Sequence, residues 1–484
     1  MRMATFVLWL MLHVCLGHLG VAQLSAGLLG FTMFRGTALS ILISLTAGLN
    51  TIGGQAFGAK EYRLVGLVFQ RSLGFCLLFS LTIAAVYTQS EWLFNHLGQK
   101  PQLAHAAGRF LFLLSPSVVL LAPLLCLQYY WLAQKVSLPS VMSGALSVLV
   151  APAAFWYFIF RKSWGTNGGA IALDVILAFR VVILAIWTVV VNCKKAKAGA
   201  MDIAWHGWSV QALRQWGELL KIGMYTILMM SVRGWLFDYY AILSGVLPRP
   251  EEAISIFGIS LYIFNISMVV ARSFNAGLAF AVAHEIGAGN AIQAKYTVRA
   301  AFFIMFGVSL LYNCVVLASS KVIGYIWTND QGVVSRLPSV LLLACATSIC
   351  QTLAHIFTGV LNGVRRQKEG SRIVSVIYPL LGIPGPWLFS FYLGWGVIGL
   401  WTTRLIVVIL EVILLGRVVM RLNWEGEVQR AMEVVERQKR DSQPDLPSLL
   451  FQAGRSPPDL HRGGEVGPLP DRVSGDTGTT DSAE

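Results

Sequence analysis

Eight long segments of this chain contain no Asp, Glu, Lys or Arg. A helix needs about 20 mostly apolar residues to cross roughly 30 Å of hydrocarbon. In lipid, only helices and closed barrels satisfy every backbone hydrogen-bonding group. The segments therefore predict membrane-spanning helices between Arg2 and Arg35, Arg35 and Lys60, Arg71 and Glu91, Arg109 and Lys135, Lys135 and Arg161, Glu252 and Arg272, Arg299 and Lys321, and Arg336 and Arg365.

Composition supports the same conclusion. Of 484 residues, 56% are apolar and only 13% are charged, and the mean hydropathy is +0.65. A water-soluble globule of this length needs more polar surface. We predict an all-α membrane protein with about twelve transmembrane helices, over residues 4–21, 28–52, 66–88, 109–130, 138–160, 168–192, 218–244, 254–282, 299–319, 338–361, 372–392 and 397–418.

The N-terminal apolar run also fits a secretory signal peptide, because Arg2 precedes it and Gly17 and Gly20 follow. We favour a first membrane helix, since no linker follows the run and the number of spans is then even.

Seven cysteines are scattered mostly inside the predicted spans, at 15, 76, 126, 193, 314, 345 and 350. They lack the paired CxxC spacing of metal or redox sites, so we interpret them as small core residues and expect no metal.

Basic residues predict the orientation in the bilayer. Loops after the even-numbered spans contain eleven of them: Lys60, Arg63, Lys135, Lys194, Lys195, Lys197, Arg214, Lys295, Arg365, Arg366 and Lys368. The opposite loops contain six: Lys100, Arg161, Lys162, Arg249, Lys321 and Arg336. The positive-inside rule places the first group and both termini in the cytoplasm. We expect the plasma membrane or the vacuolar membrane. The net charge of +13 is spread over loops, so no nucleic-acid partner is expected.

The composition of the chain changes near the C-terminus. After Trp424 the chain becomes charged with helical spacing, and from Ser442 to Glu484 it is rich in Pro, Gly, Ser and Asp. Such a segment favours disorder. The predicted organisation is an N-terminal six-helix lobe (1–192), a cytoplasmic linker (193–217), a C-terminal six-helix lobe (218–421) and a cytoplasmic, largely disordered tail (422–484).

An internal repeat supports the division into two lobes. Gly48-Leu49 and Gly58-Ala59 recur as Gly277-Leu278 and Gly287-Ala288, at an offset of 229. Gln134-Lys135 recurs as Gln367-Lys368, and Gly169-Ala170 as Gly399-Leu400, at offsets of 233 and 230. An offset that spans six helices keeps both lobes in one orientation, which predicts pseudo-two-fold symmetry about the membrane normal. A substrate cavity is then expected between the lobes.

Motifs in this order resemble those of the multidrug and toxin extrusion (MATE) family, in its eukaryotic branch. The matching stretches are Gly17-His18-Leu19-Gly20, Thr51 to Lys60 with Gln55 and Gly58, Gln70-Arg71, Leu243 to Leu247, His284 to Asn290 with Glu285, Gly287 and Gly289, and Gly359 to Gly363 followed by Gln367-Lys368. They cover roughly residues 5–420. Relatives carry a cytoplasmic segment before the first helix. The corresponding segment of this chain is short.

The resemblance implies a V-shaped pair of six-helix lobes that exports small organic solutes in exchange for protons or sodium. No cofactor is implied beyond that ion gradient, and we expect a monomer in the lipid bilayer. A membrane enzyme is disfavoured, since the loops lack catalytic His/Asp clusters and phosphate-cradling glycine motifs. A non-transporting or altered-coupling family member, or a facilitator of anionic or neutral solutes, remains the alternative.

The resemblance also draws attention to the cavity acids. Three positions that are usually acidic in the family hold Asn50, Arg233 and Gln351 here, whereas Asp238 keeps the acid of a fourth. An ionised group near the bilayer centre costs about 2.5 to 3.5 kcal/mol, so Arg233 and Asp238 should face a polar interior. They line the cavity, neutralise one another or snorkel toward an interface, and five residues, about 140° round a helix, is not an ideal spacing for a pair on one face.

Other polar residues within the spans leave similar choices. Asp174, Arg180 and Glu411 are interpreted first as packing or helix-end residues. His355, one turn from Gln351, is either an interior polar residue or a proton carrier. Pro384 and Pro386 are expected to bend the eleventh span.

We predict from the sequence that Asp238 is the principal coupling carboxylate. The loss of three acids and the gain of Arg233 further predict an anionic, zwitterionic or neutral solute.

Overall fold

The computed structural model describes residues 2–96, 101–199, 203–327 and 330–440. Within these ranges the regular structure is helical throughout. The predicted disordered segment from Ser442 lies outside the described residues. The α-helices are α1 (Arg2–Gly17), α2 (Val21–Phe34), α3 (Ser40–Leu45), α4 (Ala47–Gly58), α5 (Tyr62–Tyr87), α6 (Ser90–His96), α7 (Pro101–Leu113), α8 (Ser115–Ala133), α9 (Leu138–Phe155), α10 (Gly165–Lys197), α11 (Trp216–Ser244), α12 (Pro250–Gly287), α13 (Ala291–Ala318), α14 (Ser320–Ile323), α15 (Gln331–Gly363), α16 (Gln367–Ile377), α17 (Val397–Met420) and α18 (Trp424–Arg440).

Ten helical segments of the described chain are long and apolar enough to cross a membrane. They are Ala22–Gly58, Tyr62–Tyr87, Pro101–Ala133, Leu138–Arg161, Gly165–Lys197, Glu252–Gly287, Ala291–Ala318, Gln331–Gly363, Gln367–Tyr392 and Val397–Met420. Two further helices coincide with predicted spans: α1, which is shorter, and α11, which carries four charged residues. Large apolar side chains such as Leu149, Phe303 and Leu311 are exposed, as lipid contact requires. The prediction of an all-α membrane protein is confirmed.

Several spans depart from regular α-helix. The segments Arg35–Leu39, Trp156–Arg161, Tyr378–Gly382 and Trp387–Tyr392 have π-helical hydrogen bonding. In the eleventh span the helix is interrupted by a turn at Ile383 and Pro384. Proline has no N–H to donate to the preceding turn, which accounts for the interruption at the prolines expected to bend this span.

Buried apolar side chains form three clusters. One is built almost entirely from residues between Leu8 and Ile222, with Phe280 and Val435 as additions. The other two lie between Met229 and Val407 and between Leu278 and Ala431. The first six spans therefore pack mainly with one another, and the last six do the same. We refer below to these groups as the first half and the second half.

Two of the repeated glycines, Gly58 and Gly287, lie at a close contact between the two halves. A Cβ atom on Gly58 of α4 would lie 2.1 Å from the main-chain oxygen of His284, and a Cβ atom on Gly287 of α12 would lie 2.1 Å from that of Gln55. Each glycine thus lies directly against the backbone of the other helix. Both are at the end of their helix nearest the segment 203–215 that joins the halves, which we call the linker end.

The C-terminal helix α18 packs across the same end. Its Val428 and Ala431 belong to a cluster of the second half, whereas Val435 belongs to the cluster of the first half. Lys439 Nζ lies 2.6 Å from Glu61 Oε1, which precedes α5. This amphipathic helix therefore contacts both halves.

Candidate functional site

The residues singled out in the sequence lie on α4, α11 and α15. The structure brings Arg233 and Gln351 together in the second half, around the buried carboxylate of Glu411 on α17. Asn50 and Asp238 are not hydrogen-bonded to this group. This group contains most of the buried charge of the second half.

Glu411 is fully buried, with 0% exposure, and each of its oxygens is bound. Its Oε1 accepts from Arg233 Nη2 in an ion pair. Its Oε2 accepts from the Tyr378 hydroxyl at 2.6 Å and from Gln351 Nε2 at 3.5 Å. Arg233 Nη2 also donates to Thr358 Oγ1 at 3.2 Å. Four helical segments therefore converge on one carboxylate, which needs such partners to stay ionised away from water.

A second arginine, Arg404 of α17, adjoins this group and is 1% exposed. Its Nη2 donates to Gln351 Oε1 at 2.8 Å. Its guanidinium carbon lies 4.2 Å from the ring centroid of Phe237 and 4.8 Å from that of Tyr378, which are cation–π distances. Among the described residues its Nε and Nη1 have no hydrogen-bond partner. With two arginines and one glutamate, the group has a net charge of +1.

Asp238 has a different environment from the one expected beside Arg233. Its Oδ1 lies 3.4 Å from Nη2 of Arg35, in the π-helical stretch of the second span. Both side chains are about half exposed, at 49% and 47%. Asp238 and Arg233 therefore do not neutralise one another: Arg233 pairs within the second half, and Asp238 pairs with a residue of the first half.

The remaining candidate residues are buried but play smaller roles. Asn50 Nδ2 donates to the main-chain oxygen of Ala276 at 3.3 Å, which links α4 to α12. The main-chain oxygen of His355 accepts from the Asn275 side chain. Asn50 therefore joins the halves at the level of the repeat glycines, and His355 helps to position α15 on α12.

Two charged residues of the first half pair with hydroxyl groups. Asp174 accepts a hydrogen bond from Ser117, and Arg180 Nη1 donates to Thr5 Oγ1 at 3.0 Å. Neither of these contacts is an ion pair. The packing interpretation of both residues fits these contacts.

Several family-motif residues hold the linker end together. Gln55 Nε2 donates to the main-chain oxygen of Gly363 at 3.2 Å, and Gln367 Nε2 to Thr51 Oγ1 at 3.3 Å. The Thr51 hydroxyl donates to the main-chain oxygen of Asn362 at 2.9 Å. These hydrogen bonds join α4 of the first half to the end of α15 and the start of α16 in the second.

Other motif residues shape the adjoining loops. Gln70 Nε2 donates to the main-chain oxygen of Gly207 at 2.7 Å, and Gln70 Oε1 accepts from Ser209 N at 3.0 Å. Its neighbour Arg71 is buried in α5. Gly289 has a φ of 82°, a conformation that favours glycine. The main-chain oxygen of Glu285 accepts from Asn290 N at 2.8 Å, and Lys368 lines a cavity discussed below.

Cysteines are not paired in the described ranges. Cys76, Cys126 and Cys345 are buried, as expected of core residues, whereas Cys193 and Cys314 are exposed. No group of three or more His, Cys, Asp or Glu side chains there is arranged to hold a metal ion. The expectation of small core cysteines thus fits some positions only.

Comparison with known proteins agrees with this architecture. Residues 1–158 and 226–388, more than half of the chain, match the MatE family model. Protein DETOXIFICATION 14 of Arabidopsis thaliana is 28% identical over 431 residues, which cover 89% of this chain and 87% of that protein. Protein DETOXIFICATION 16 of the same plant is 27% identical over 420 residues, with coverage of 87% and 85%.

Solved structures give the same result. The crystal structure of the eukaryotic MATE transporter AtDTX14 has a TM-score of 0.82 at 27% sequence identity, covering 90% of this chain and 95% of that one. A Vibrio cholerae MATE transporter shares the fold with a TM-score of 0.76 at 17% identity, covering 88% and 95%. With its membrane helices and repeated glycines, this chain belongs to the MATE family of multi-pass membrane transporters.

Proposed function

We propose that this transporter exports small organic solutes by antiport with protons, sodium being the alternative coupling ion. The observation that carries the proposal is the Asp238–Arg35 pair, which is half exposed and joins the two halves. Protonation of Asp238 removes its charge and so weakens a contact between the halves. An exposed pair contributes about 0 to 1 kcal/mol. Protonation therefore changes the equilibrium constant between arrangements of the halves by up to roughly fivefold.

Glu411 is the competing carboxylate for this role. It is fully buried and bound to Arg233, which stabilises its ionised form and separates it from water. A coupling group must exchange protons with solvent during the cycle, and Asp238 is accessible for this in the present arrangement. Glu411 is therefore assigned to the stability of the second half.

Proteoliposomes with an imposed pH gradient test the assignment. Asp238→Asn should abolish gradient-driven uptake while the protein remains folded. Glu91→Gln is the matched control, because Glu91 is also half exposed and lies 3.0 Å from a basic side chain, that of His105, but within the first half. Undiminished uptake by Asp238→Asn, together with loss of uptake in folded Glu411→Gln protein, would assign coupling to Glu411 instead.

We further propose that the solute carries a negative charge, as an anion or a zwitterion. Positions 50, 233 and 351 hold no acid. Within the Glu411 group, Arg404 is the cation whose charge is not compensated by a carboxylate. Two unit charges about 10 Å apart interact with an energy of about 1.7 kcal/mol at an effective dielectric constant of about 20. Arg404 therefore favours an anionic group over a neutral one by roughly tenfold at that distance.

Competition between matched anionic and cationic solutes tests this proposal. Arg404→Met keeps the length of the side chain and removes the charge, and it should reduce the preference for the anion by about tenfold. The control is Arg180→Met, which removes a buried arginine of the first half. A preference for cations in the unsubstituted protein, or equal effects of both variants, contradicts the proposal.

A further inference from the structure

A polar cavity lies at the linker end, away from the Glu411 group. It has a volume of about 310 Å³, at the lower limit of the roughly 300 to 1,000 Å³ typical of small-molecule sites. Its walls come from the first turns of α11, the segment 364–368 and one face of α18. Gln55 of α4 is the contribution of the first half.

Basic side chains dominate the lining. Five cations contribute to it: Lys221, Arg365, Arg366, Lys368 and Arg430. The lining includes two carboxylates, those of Glu218 and Glu427, and Glu369 beside it lies 2.9 Å from Arg366, so the net charge of the group is +2. The cations come from four separate helices and loops that the fold brings together, and only three are neighbours in sequence.

The carboxylates of Glu218 and Glu427 hold the three arginines of the lining in position. Glu427 is nearly buried, and its Oε1 accepts from Arg366 at 2.6 Å and from Arg430 at 2.8 Å. Glu218 Oε2 accepts from Arg365 Nη2 at 2.6 Å. An arginine held in this way loses less entropy when it binds a ligand, because its side chain is already ordered.

Unused donors remain after these pairs have formed. Arg365 has a side-chain exposure of only 13%, and its Nη1 has no hydrogen-bond partner among the described residues. Burial lowers the pKa of the Arg365 guanidinium, and Glu218 acts against that shift. Lys221 and Lys368 are exposed at the cavity and form no ion pair with any described residue. The cavity thus combines ion-paired arginines with exposed lysines that form no ion pair among the described residues.

We propose that this cavity binds a phosphorylated anion with two or more phosphate groups, supplied either by a lipid headgroup or by a soluble metabolite. Arginine donates to phosphate oxygens in pairs, and lysine acts as a point charge at the rim. A net charge of +2 matches a multiply charged ligand better than a single carboxylate. Because Gln55 belongs to the first half, a bound ligand favours the arrangement in which the halves meet at the linker end.

Binding to the full-length protein in phosphatidylcholine nanodiscs tests the proposal, at 0.15 M salt to screen non-specific attraction. The soluble probes are inositol trisphosphate and inorganic phosphate, and the lipid probe is phosphatidylinositol bisphosphate at a few per cent, compared with phosphatidylserine. Binding is followed by titration and by the rise in Tm. The test variant is Lys221→Gln/Lys368→Gln, which leaves the Glu427 and Glu218 pairs intact. The control is Lys295→Gln/Arg299→Gln, which removes two exposed charges from α13.

The expected result is saturable binding of inositol trisphosphate or of the bisphosphate lipid, tighter than that of inorganic phosphate, which the test variant weakens by about tenfold or more and the control by less than about twofold. Binding of inorganic phosphate as tight as that of both other probes overturns the proposal. Equal binding of the free trisphosphate and the lipid identifies a soluble ligand as sufficient, whereas binding of the lipid alone identifies a headgroup site. Phosphatidylserine binding as strong as that of the bisphosphate, equal effects of both variants, or no saturable binding overturns the proposal. None of these outcomes depends on transport activity.

Discussion

Gly58 offers the sharpest perturbation of the contact between the halves. A Cβ atom there would lie 2.1 Å from the main-chain oxygen of His284, and ordinary contact begins at about 3.4 Å. Gly58→Ala therefore requires α4 and α12 to separate by about 1.3 Å. The obstacle is backbone, which cannot rotate away as a side chain can. Gly287→Ala meets the same obstacle from the other side, at Gln55.

The energetic cost follows from this geometry. Adding a methyl group to a packed contact typically costs about 1 to 3 kcal/mol. Only the state in which the halves meet at the linker end bears this cost, so the substitution shifts the population toward the state that is open there. A difference of 1 to 3 kcal/mol corresponds to roughly 5- to 150-fold in that equilibrium.

Cysteine accessibility measures the shift. Ala283 is buried at this contact, so Ala283→Cys, with the exposed Cys193 and Cys314 replaced by Ser, gives a position that should react with a polar maleimide only when the linker end opens. Gly58→Ala should accelerate the reaction at least fivefold. Gly277→Ala is the control, because a Cβ atom on Gly277 meets nothing within 4 Å. Equal reaction rates in the two alanine variants would refute the reasoning.

Two further predictions concern the second half and α18. Glu411→Gln should lower the free energy of unfolding in detergent by about 3 to 5 kcal/mol, because Arg233 is then buried without its counter-charge. The double variant Arg233→Met/Glu411→Leu should lose less than the single one, and a larger loss contradicts this account. Val435→Asp should reduce the hydrogen-exchange protection of α18 by about 2 kcal/mol or more, since a carboxylate replaces a buried valine. Lys439→Gln removes an exposed pair and should cost at most about 1 kcal/mol; an effect as large as that of Val435→Asp would count against the packing argument.

The sequence predicts the helices well because crossing hydrocarbon is a local requirement on composition. Its span limits are less accurate. The second span was predicted over 28–52, whereas the helical segment runs over Ala22–Gly58. Hydropathy marks the part of a helix in hydrocarbon, and helices continue beyond it into polar surroundings. The prediction for the seventh span, 218–244, is close to α11 (Trp216–Ser244) despite its four charges.

Contacts between residues far apart in the chain could not be predicted from the sequence. Arg233 and Glu411 are 178 positions apart, and helical spacing relates residues only within one helix. Helical spacing left open whether Arg233 and Asp238 line the cavity or neutralise one another, whereas tertiary packing pairs Asp238 with Arg35. Arg404 was not singled out, although an arginine within an apolar span is itself a signal of a polar interior. Two charges in the same span, Arg404 and Glu411, would have justified looking for partners on other helices.

The internal repeat explains how one scaffold carries different chemistry in its two halves. The offset of 230 that relates Gly169 to Gly399 also relates Asp174 to Arg404. Asp174 accepts a hydrogen bond from Ser117 in the first half, and Arg404 donates one to Gln351 in the second. Equivalent positions thus hold opposite charges inside similar helical packing. Glycine positions constrain the backbone and persist between the halves, whereas these buried polar positions differ between them.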